Sequence, residues 1–278
     1  MSDSDSDVAT GDDTEAQTID DLDADGQRRL VRERYADIAE NGDDCCRDES
    51  NGTDVTRLGY EDGDVSAAAD AAAMSQGCGN PSAIAALSTG ERVLDLGSGG
   101  GFDCFLCARE VGPEGRVIGV DMTPEMIEQA RETARDSEFD TVEFRLGEIE
   151  HLPVADDSID VAISNCVVNL SPDKRQVFEE VRRVLVPGGR VAISDVVKTA
   201  PMPETVLADP DSVSACVAGA ARIDRLETLL NEAGFVDIVI EPREASDSFV
   251  REWDPERDPS AFVTAATIEA RVPTADTE

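Results

Sequence analysis

The chain has 278 residues with 61 acidic and 24 basic side chains, which gives a formal net charge of −37. This length allows a sizeable core in one large domain or two small ones. The negative charge repels phosphates and so argues against nucleic-acid binding. It instead indicates a halophilic protein in a salt-rich cytoplasm, where cations screen the self-repulsion. No apolar run has the length of a membrane span, so the sequence predicts a soluble, cytoplasmic protein with no membrane partner.

The amino-terminal part is predicted to be an acidic tail followed by a helical segment that carries thiols. Residues 1–25 contain ten acidic and no basic side chains, so we expect residues 1–26 to be disordered. Order is expected from Gln27, with an amphipathic helix whose apolar face carries Leu30, Val31, Tyr35 and Ile38. Cys45 and Cys46 follow in a polar loop, and a second helix is predicted over 65–75.

The stretch RVLDLGSGGGFD, residues 92–103, organises the centre of the chain. A short apolar run predicts a buried parallel strand that ends near Asp95, and the glycines after it predict a tight turn into a helix. Gly97, Gly99 and Gly101 lack a Cβ, so the backbone here can approach a ligand closely.

The glycine spacing distinguishes between classes of cofactor. A dinucleotide fold requires G-x-G-x-x-G, but the last position in that pattern is Phe102. The observed G-x-G-x-G after an acid is the arrangement used for S-adenosylmethionine, so a nicotinamide or flavin enzyme is disfavoured. A second strand over 116–120 ends in Asp121, an acid placed to accept hydrogen bonds from the ribose hydroxyls.

Strands and helices alternate from Arg92 onward, which predicts an α/β, doubly wound, Rossmann-like sheet of seven mostly parallel strands. The domain is expected to cover 27–272, with a helical amino-terminal extension over 27–88, an insertion after strand 5 over 196–221, and a tail over 273–278. Ser171-Pro172 is predicted to cap the helix before the fifth strand. The expected strands are 92–96, 116–121, 142–146, 159–164, 190–195, 236–241 and 262–271, and the acidic run 244–260 is predicted to be a surface loop.

Three distant cysteines are expected to meet at one edge of this sheet. Ligands bind beyond the carboxyl ends of parallel strands near the switch point. Cys166 follows the fourth strand, Cys216 lies in the insertion after the fifth, and Cys78 lies in the segment before the first. Seven cysteines without an export signal indicate thiols rather than structural disulfides.

Not every candidate residue calls for a functional explanation. Cys104 and Cys107 lie one turn apart on an apolar helix, and burial in the core is the better interpretation than a redox couple. His151 is the only histidine, and its polar setting predicts a solvated loop residue. Without another histidine, a Cys-His or Ser-His-Asp mechanism would require this residue.

From about Gln27 to Arg271 the chain resembles the arsenite methyltransferases, a thiol-rich branch of the S-adenosylmethionine-dependent class I methyltransferases. The glycine loop is common to the whole superfamily, whereas the surroundings of Cys78 and Cys166 are particular to this branch. The matching segments are QGCGNPSAIAAL (76–87), VLDLGSGGGFDCFL (93–106), VIGVDMTPEMIEQAR (117–131), GEIEHLPVADDSIDVAISNCVVNLSPDK (147–174) and PGGRVAISDVV (187–197).

The resemblance implies roles for individual residues. Cys166 and Cys216 resemble the pair that holds As(III), Cys78 resembles a third thiol that ligates or forms a disulfide, and a fourth family cysteine is Cys45 or Cys46. The resemblance and the glycine motif together assign cofactor contacts to Asp95, Gly97, Ser98, Gly99, Gly101, Asp121, Met122, Glu148, Ile149 and Asn165.

The expected reaction is methylation of arsenite or methylarsenite, with S-adenosylmethionine as the cofactor. Thiolates suit a soft metalloid, and an arsenic lone pair can accept a methyl group without a general base. Methylation oxidises arsenic, so a cytosolic dithiol reductant, thioredoxin-like or small, is the expected partner. Two alternatives remain: a methyltransferase for another small substrate such as a quinone precursor, and a module that sequesters arsenite without turnover.

Overall fold

The computed structural model describes residues 23–41, 58, 60, 77–136, 140–207, 209, 212, 216–243, 246–254 and 256–274. Most of the predicted acidic tail, the Cys45-Cys46 doublet and the predicted helix over 65–75 lie outside these residues. The first helix begins at Ala24, so its first three residues fall inside the segment assigned to the tail.

In the described part of the chain, eight strands form one sheet. Seven of them follow the order β3-β2-β1-β4-β5-β8-β7, and the two-residue β6 pairs with β5. The pairings among β1 to β6 are parallel, while β8 runs antiparallel to both β5 and β7. The strands are β1 (Arg92–Leu96), β2 (Arg116–Asp121), β3 (Val142–Leu146), β4 (Ile159–Asn165), β5 (Leu185–Lys198), β6 (Ala221–Arg222), β7 (Val236–Pro242) and β8 (Val263–Arg271).

Helices cover both faces of this sheet, as a doubly wound fold requires. Within the described ranges, no helix combines the length and apolar character needed to cross a bilayer. The α-helices are α1 (Ala24–Asn41), α2 (Pro81–Ala85), α3 (Phe102–Val111), α4 (Pro124–Asp136), α5 (Lys174–Val184), α6 (Glu204–Leu207), α7 (Ile223–Glu232) and α8 (Asp247–Val250).

Strand β1 explains how the two halves of the core arise. Successive side chains of a strand point to opposite faces, so Val93 belongs to the core half that includes α3, while Leu94 and Leu96 belong to the half that includes α5 and α7. Asp95 points to the same face of the sheet as Val93, so its carboxylate lies on the side of α3 and not on the side of α5. The alternation thus places an acid at the carboxyl end of a buried strand.

Three predicted boundaries are wrong for local reasons. Strand β5 continues to Lys198 rather than ending at Asp195, because the first three residues of the predicted insertion over 196–221 pair with β8. Asp173, rather than Ser171, caps α5, because the Asp173 carboxylate accepts from the backbone N–H of Gln176 at 3.1 Å. Strand β5 begins at Leu185 instead of Arg190, because Leu185 pairs with Ile159 before the register shifts and Arg190 pairs with Val161. The predicted Pro-Gly-Gly turn lies between these two pairings, at the register shift of the strand.

The acidic run 244–260 is not simply a surface loop. It contains α8, in which Phe249 and Val250 are buried, and the Phe249 ring lies 5.8 Å from that of Trp253. These apolar side chains are buried beside β8, so the segment contributes to the core. The many charged residues around them obscured this contribution in the sequence.

Gly101 is the glycine whose replacement should affect stability most clearly. Its φ of +90° is left-handed, and an added Cβ would lie 2.5 Å from Cζ of Phe144. We expect Gly101→Ala to lower the free energy of unfolding by about 2–5 kcal/mol, from backbone strain plus overpacking. Gly90→Ala is the matched control, since its φ is +87° but its Cβ would meet no atom within 4 Å. Denaturation at constant salt should show the smaller loss for Gly90→Ala, and equal losses would contradict the packing argument.

Candidate active site

A cavity opens at the carboxyl ends of β1, β2 and β4. This is the edge where ligands bind in open parallel sheets. Its wall includes the glycine loop from Gly97 to Gly100, Asp121 with Met122 and Thr123, and Ile149 with Glu150.

Asp121 ties the glycine loop to the start of α4. One carboxylate oxygen accepts from the backbone N–H of Gly99 at 2.9 Å, and the other accepts from the backbone N–H of Thr123 at 2.8 Å. Burial nevertheless raises the pKa of Asp121, and these hydrogen bonds oppose that effect. The acid that the sequence singled out therefore lies at the cavity wall and also shapes the loop beside it.

Three carboxylates line the cavity: Asp95 and Asp103 are buried, and Asp121 is half-buried. Burial is the main cause of the raised pKa of Asp95, and the neighbouring charge of Asp103 adds to it. Burial also raises the pKa of Asp103 to about 6. Because clustered negative charge at low dielectric is costly, this wall favours a cationic ligand.

The Ser98 hydroxyl on the glycine loop is placed to contact a bound molecule. The Ser98 hydroxyl oxygen is buried and has no hydrogen-bond partner among the described residues. Buried polar atoms are normally satisfied, so such an orphan beside a cavity indicates a group that a bound molecule would contact. A Cβ on neighbouring Gly99 would approach other described atoms no closer than 4.0 Å, so this side of the loop is open.

Eight of the ten predicted cofactor residues line the cavity: Asp95, Gly97, Ser98, Gly99, Asp121, Met122, Ile149 and Asn165. Gly101 and Glu148 are not part of this wall. Gly101 instead provides the N-cap position of α3. The Glu148 carboxylate lies 3.5 Å from the Arg28 guanidinium and 3.7 Å from that of Arg32.

Helix α1 closes one side of the cavity with Arg28, Val31 and Tyr35. It is held there in part by the Gln27 side-chain amide, which donates to the carbonyl oxygen of Leu170 at 2.9 Å. The amphipathic pattern identified the apolar face of this helix. It could not reveal which surface that face covers, because the contact joins residues more than 140 positions apart.

The three predicted arsenic thiols lie together behind the cavity wall. Cys78 and Cys166 form a disulfide with a Cα–Cα distance of 6.0 Å. The Cys216 thiol donates to the carbonyl oxygen of Cys166 at 2.7 Å. All three are buried, and Gly77, Asn165 and Val167, the sequence neighbours of Cys78 and Cys166, line the cavity. The thiol cluster therefore adjoins the cavity directly.

Both Cys166 and Cys216 have left-handed backbone conformations, with φ values of 57° and 65°. Non-glycine residues adopt this region rarely, and each instance costs on the order of 1–3 kcal/mol. The surrounding contacts hold this conformation; one of them is the Cys166 backbone N–H, which donates to the carbonyl oxygen of Ser194 at 2.8 Å. Strain at two converging cysteines supports a functional rather than a packing role.

Asp195 is a residue of this region that the sequence reading missed. A carboxylate oxygen of Asp195 and the sulfurs of Cys78 and Cys166 lie within 4.8 Å of one another. The carboxylate accepts from the Asn169 side-chain amide and from its own neighbour's backbone N–H, Val196, both at 2.8 Å. The sequence held the same signal for Asp195 as for Asp95 and Asp121, because all three are acids at the end of a mostly apolar strand.

The pKa of Asp195 predicts a pH-dependent stability. Burial raises this pKa from 3.8 to about 6, so the folded state binds the proton more tightly than the unfolded state. The resulting stabilisation is fully present below pH 3.8 and is lost as the pH rises through 6. Relative to Asp195→Asn, the protein should lose up to about 3 kcal/mol between pH 4 and 7. Denaturation at fixed salt measures this difference, and a value constant with pH would contradict it.

Two further predictions are confirmed. Cys104 and Cys107 are fully buried in the core, where burial raises the pKa of both thiols well above the usual range. The Cys104 thiol donates to Asp95 at 3.2 Å. The His151 side chain is 71% exposed, which fits a solvated loop residue.

Comparisons with known proteins agree with this geometry. Residues 87–234 match the family model described as "Methyltransferase domain". An arsenite methyltransferase of Halobacterium salinarum is 55% identical over 270 residues, which are 92% of this chain and 69% of that protein. The mouse arsenite methyltransferase is 39% identical over 153 residues, 52% of this chain and 41% of that protein. The chain therefore spans less than half of the mouse relative.

A solved structure gives the same result in three dimensions. The arsenic(III) S-adenosylmethionine methyltransferase of Chlamydomonas reinhardtii superposes with a TM-score of 0.58 at 38% identity, covering 73% of this chain and 69% of that one. A Haemonchus contortus phosphoethanolamine N-methyltransferase crystallised with S-adenosyl-L-methionine gives a TM-score of 0.62 at 21% identity, covering 79% and 59% of the two chains, and supports the fold alone. With its glycine loop, its converging cysteines and these matches, the chain belongs to the arsenite methyltransferase family of class I methyltransferases.

Proposed function

We propose that this chain transfers a methyl group from S-adenosylmethionine to As(III) bound by cysteine thiolates, with arsenite or methylarsenite as the substrate. The observation that carries this proposal is the convergence of Cys78, Cys166 and Cys216 beside a cavity at the carboxyl edge of the sheet. These residues are up to 138 positions apart in the sequence. Their convergence has no evident purpose in a methyltransferase whose substrate does not bind sulfur.

The cavity wall fits the proposed cofactor. S-Adenosylmethionine carries an ammonium and a sulfonium, and the carboxylates of Asp95, Asp103 and Asp121 in the cavity wall would balance such positive charge. The unpartnered Ser98 hydroxyl would gain a partner, and the open side of Gly99 admits close approach to the backbone. Asp121 would accept from ribose hydroxyls with the lone pairs that Gly99 and Thr123 leave available.

The thiols would bind and orient the substrate. Thiolates are soft ligands and are well suited to As(III). When bound, the cofactor supplies an electrophilic methyl group on a sulfonium, for which the arsenic lone pair is a nucleophile that needs no general base. The protein contributes mainly alignment, and oriented geometry can account for roughly 7–11 kcal/mol of a barrier.

The disulfide fits the redox balance of this reaction. Methyl transfer converts As(III) to As(V), a loss of two electrons from arsenic. Oxidation of the Cys78 and Cys166 thiolates to one disulfide supplies two electrons and restores As(III). A dithiol reductant, thioredoxin-like or small, must then return the pair to thiols by exchange. The structure thus represents the oxidised form of the pair.

One assay separates the proposed function from its alternatives. The protein is incubated with radiolabelled S-adenosylmethionine, arsenite and a dithiol reductant, in high salt because of the net charge of −37. Chromatography of the products should give labelled methylated arsenic. Arsenite retained without label transfer would instead support a sequestering module. If arsenic is neither bound nor labelled, the proposal fails and another acceptor, such as a quinone precursor, takes its place.

A further inference from the structure

We propose that Asn165 is a positioning residue for the thiol site: its side-chain amide holds the turn that carries Cys78 against the end of β4, and so keeps Cys78 beside Cys166. Asn165 lines the cavity and matches the cofactor contact expected from the family resemblance. Two of the hydrogen bonds of its side chain, however, are made to the turn that carries Cys78. This inference deepens the proposed function, since it concerns how the same thiols are brought together.

The Asn165 amide makes two hydrogen bonds to the turn that carries Cys78. The backbone N–H of Cys78 donates to Oδ1 of Asn165 at 2.9 Å. Nδ2 of Asn165 donates to the carbonyl oxygen of Gly79 at 2.8 Å. One side chain therefore fixes a backbone group of Cys78 and a backbone group of the residue that follows it.

The atoms packed around the Cys78 turn leave no room for a different position of its backbone. A Cβ on Gly77 would overlap the Asn165 amide, and a Cβ on Gly79 would overlap the Ser194 hydroxyl. Glycine on both sides of Cys78 thus allows the turn to press onto the ends of β4 and β5. This requirement explains the Gly-Cys-Gly sequence, which is a poor setting for an ordinary core cysteine.

Asp103 and Tyr60 set the orientation of the Asn165 amide. Nδ2 of Asn165 also approaches Oδ2 of Asp103 at 3.2 Å and the Tyr60 hydroxyl oxygen at 3.0 Å, and that hydroxyl donates to Oδ1 of Asp103 at 2.7 Å. A flipped amide would turn its oxygen toward a carboxylate. Oδ1 is therefore kept facing the N–H of Cys78.

Holding both cysteines through one residue has a measurable consequence. Cys166 is the residue after Asn165, while Cys78 is 88 positions away from Cys166 in the sequence. The amide therefore raises the effective concentration of one thiol at the other. In exchange, the protein disulfide and two glutathione thiols give two cysteine thiols and one glutathione disulfide, so electrons and protons balance. Loss of the amide should shift this equilibrium toward the dithiol.

The test measures that equilibrium in the full chain, without arsenite or cofactor. The protein is equilibrated in glutathione buffers of graded ratio at high salt, and differential alkylation with peptide mass spectrometry then reports Cys78 and Cys166. Asn165→Ala should lower the disulfide formation constant at least tenfold, which is about 30 mV for a two-electron couple. Tyr60→Phe is the matched control, because it removes a partner of the amide but leaves both contacts to the turn. We expect it to stay within about twofold of the parent.

Every outcome bears on the proposal. A folded Asn165→Ala protein with an unchanged constant overturns it, as does an equal shift in Tyr60→Phe. If Asn165→Ala does not fold, Gly77→Ala decides, since its Cβ displaces the amide without removing it and should shift the constant in the same direction. An unchanged constant in Gly77→Ala then overturns the proposal. Because the assay contains no arsenite, failure here is distinguishable from failure of the methylation assay.

Discussion

Serine in place of Cys166 is expected to lower the rate of arsenite methylation by about 100-fold or more. A hydroxyl is a hard, weakly acidic ligand for a soft metalloid, so one arsenic bond is lost and the remaining ligands no longer fix the lone pair. Cys216→Ser should have a similar effect, because its thiol lies against the Cys166 carbonyl oxygen. The measurement is the initial rate of methylated arsenic formation with excess reductant.

Cys107→Ala is the matched control for these variants. Cys107 is fully buried on α3 and lies among apolar residues of the core. This variant should cost some stability but keep the methylation rate within about threefold, since only packing is lost. Full activity in Cys166→Ser, or an equal loss in Cys107→Ala, would contradict the assignment of the arsenic ligands.

Alanine in place of Asp121 is expected to weaken cofactor binding by about 100-fold or more. Hydrogen bonds to a charged group contribute roughly 1.5–3 kcal/mol each, and the ribose offers two hydroxyls. The variant also releases the backbone N–H groups of Gly99 and Thr123, which Asp121 now holds at 2.9 and 2.8 Å. Titration calorimetry with S-adenosylhomocysteine measures the effect.

A conservative variant separates the two contributions of this residue. Asp121→Asn keeps one acceptor oxygen and the shape of the side chain, so its affinity should lie between those of the parent and the alanine variant. A dissociation constant for folded Asp121→Ala within about fivefold of the parent would show that the acid is a loop anchor and not a ligand contact.

Local patterns were sufficient for most of the architecture. Strands β1 to β4 were predicted to within one residue, because each is a short segment with apolar residues that is bounded by glycine or polar residues. The start of helix α4 at Pro124 is also readable from the sequence, since proline is favoured at the first helical position. The misplaced cap at Ser171 shows the limit of this approach. Ser171 and Asp173 are two positions apart and both could cap the helix, and only the backbone geometry selects Asp173.

The site was predictable where position along a strand determines location, and not where distant segments pack. Asp95 and Asp121 lie at the cavity wall because strand ends share one edge of the sheet. Arg28 reaches the cavity through the docking of α1, a contact that no local pattern encodes. Asn165 was expected to contact the cofactor, but its amide bonds to the Cys78 turn depend on a chain reversal that spans almost ninety residues.

X-ray absorption at the arsenic edge on the reduced protein loaded with one equivalent of arsenite tests most directly whether the thiolates of Cys78, Cys166 and Cys216 hold the substrate. We expect a first coordination shell of three sulfurs, which falls to two sulfurs in Cys216→Ser as an oxygen ligand takes the vacant position. A shell made of oxygen, equal to that of free arsenite, would contradict the account, as would a shell that none of the three cysteine substitutions changes.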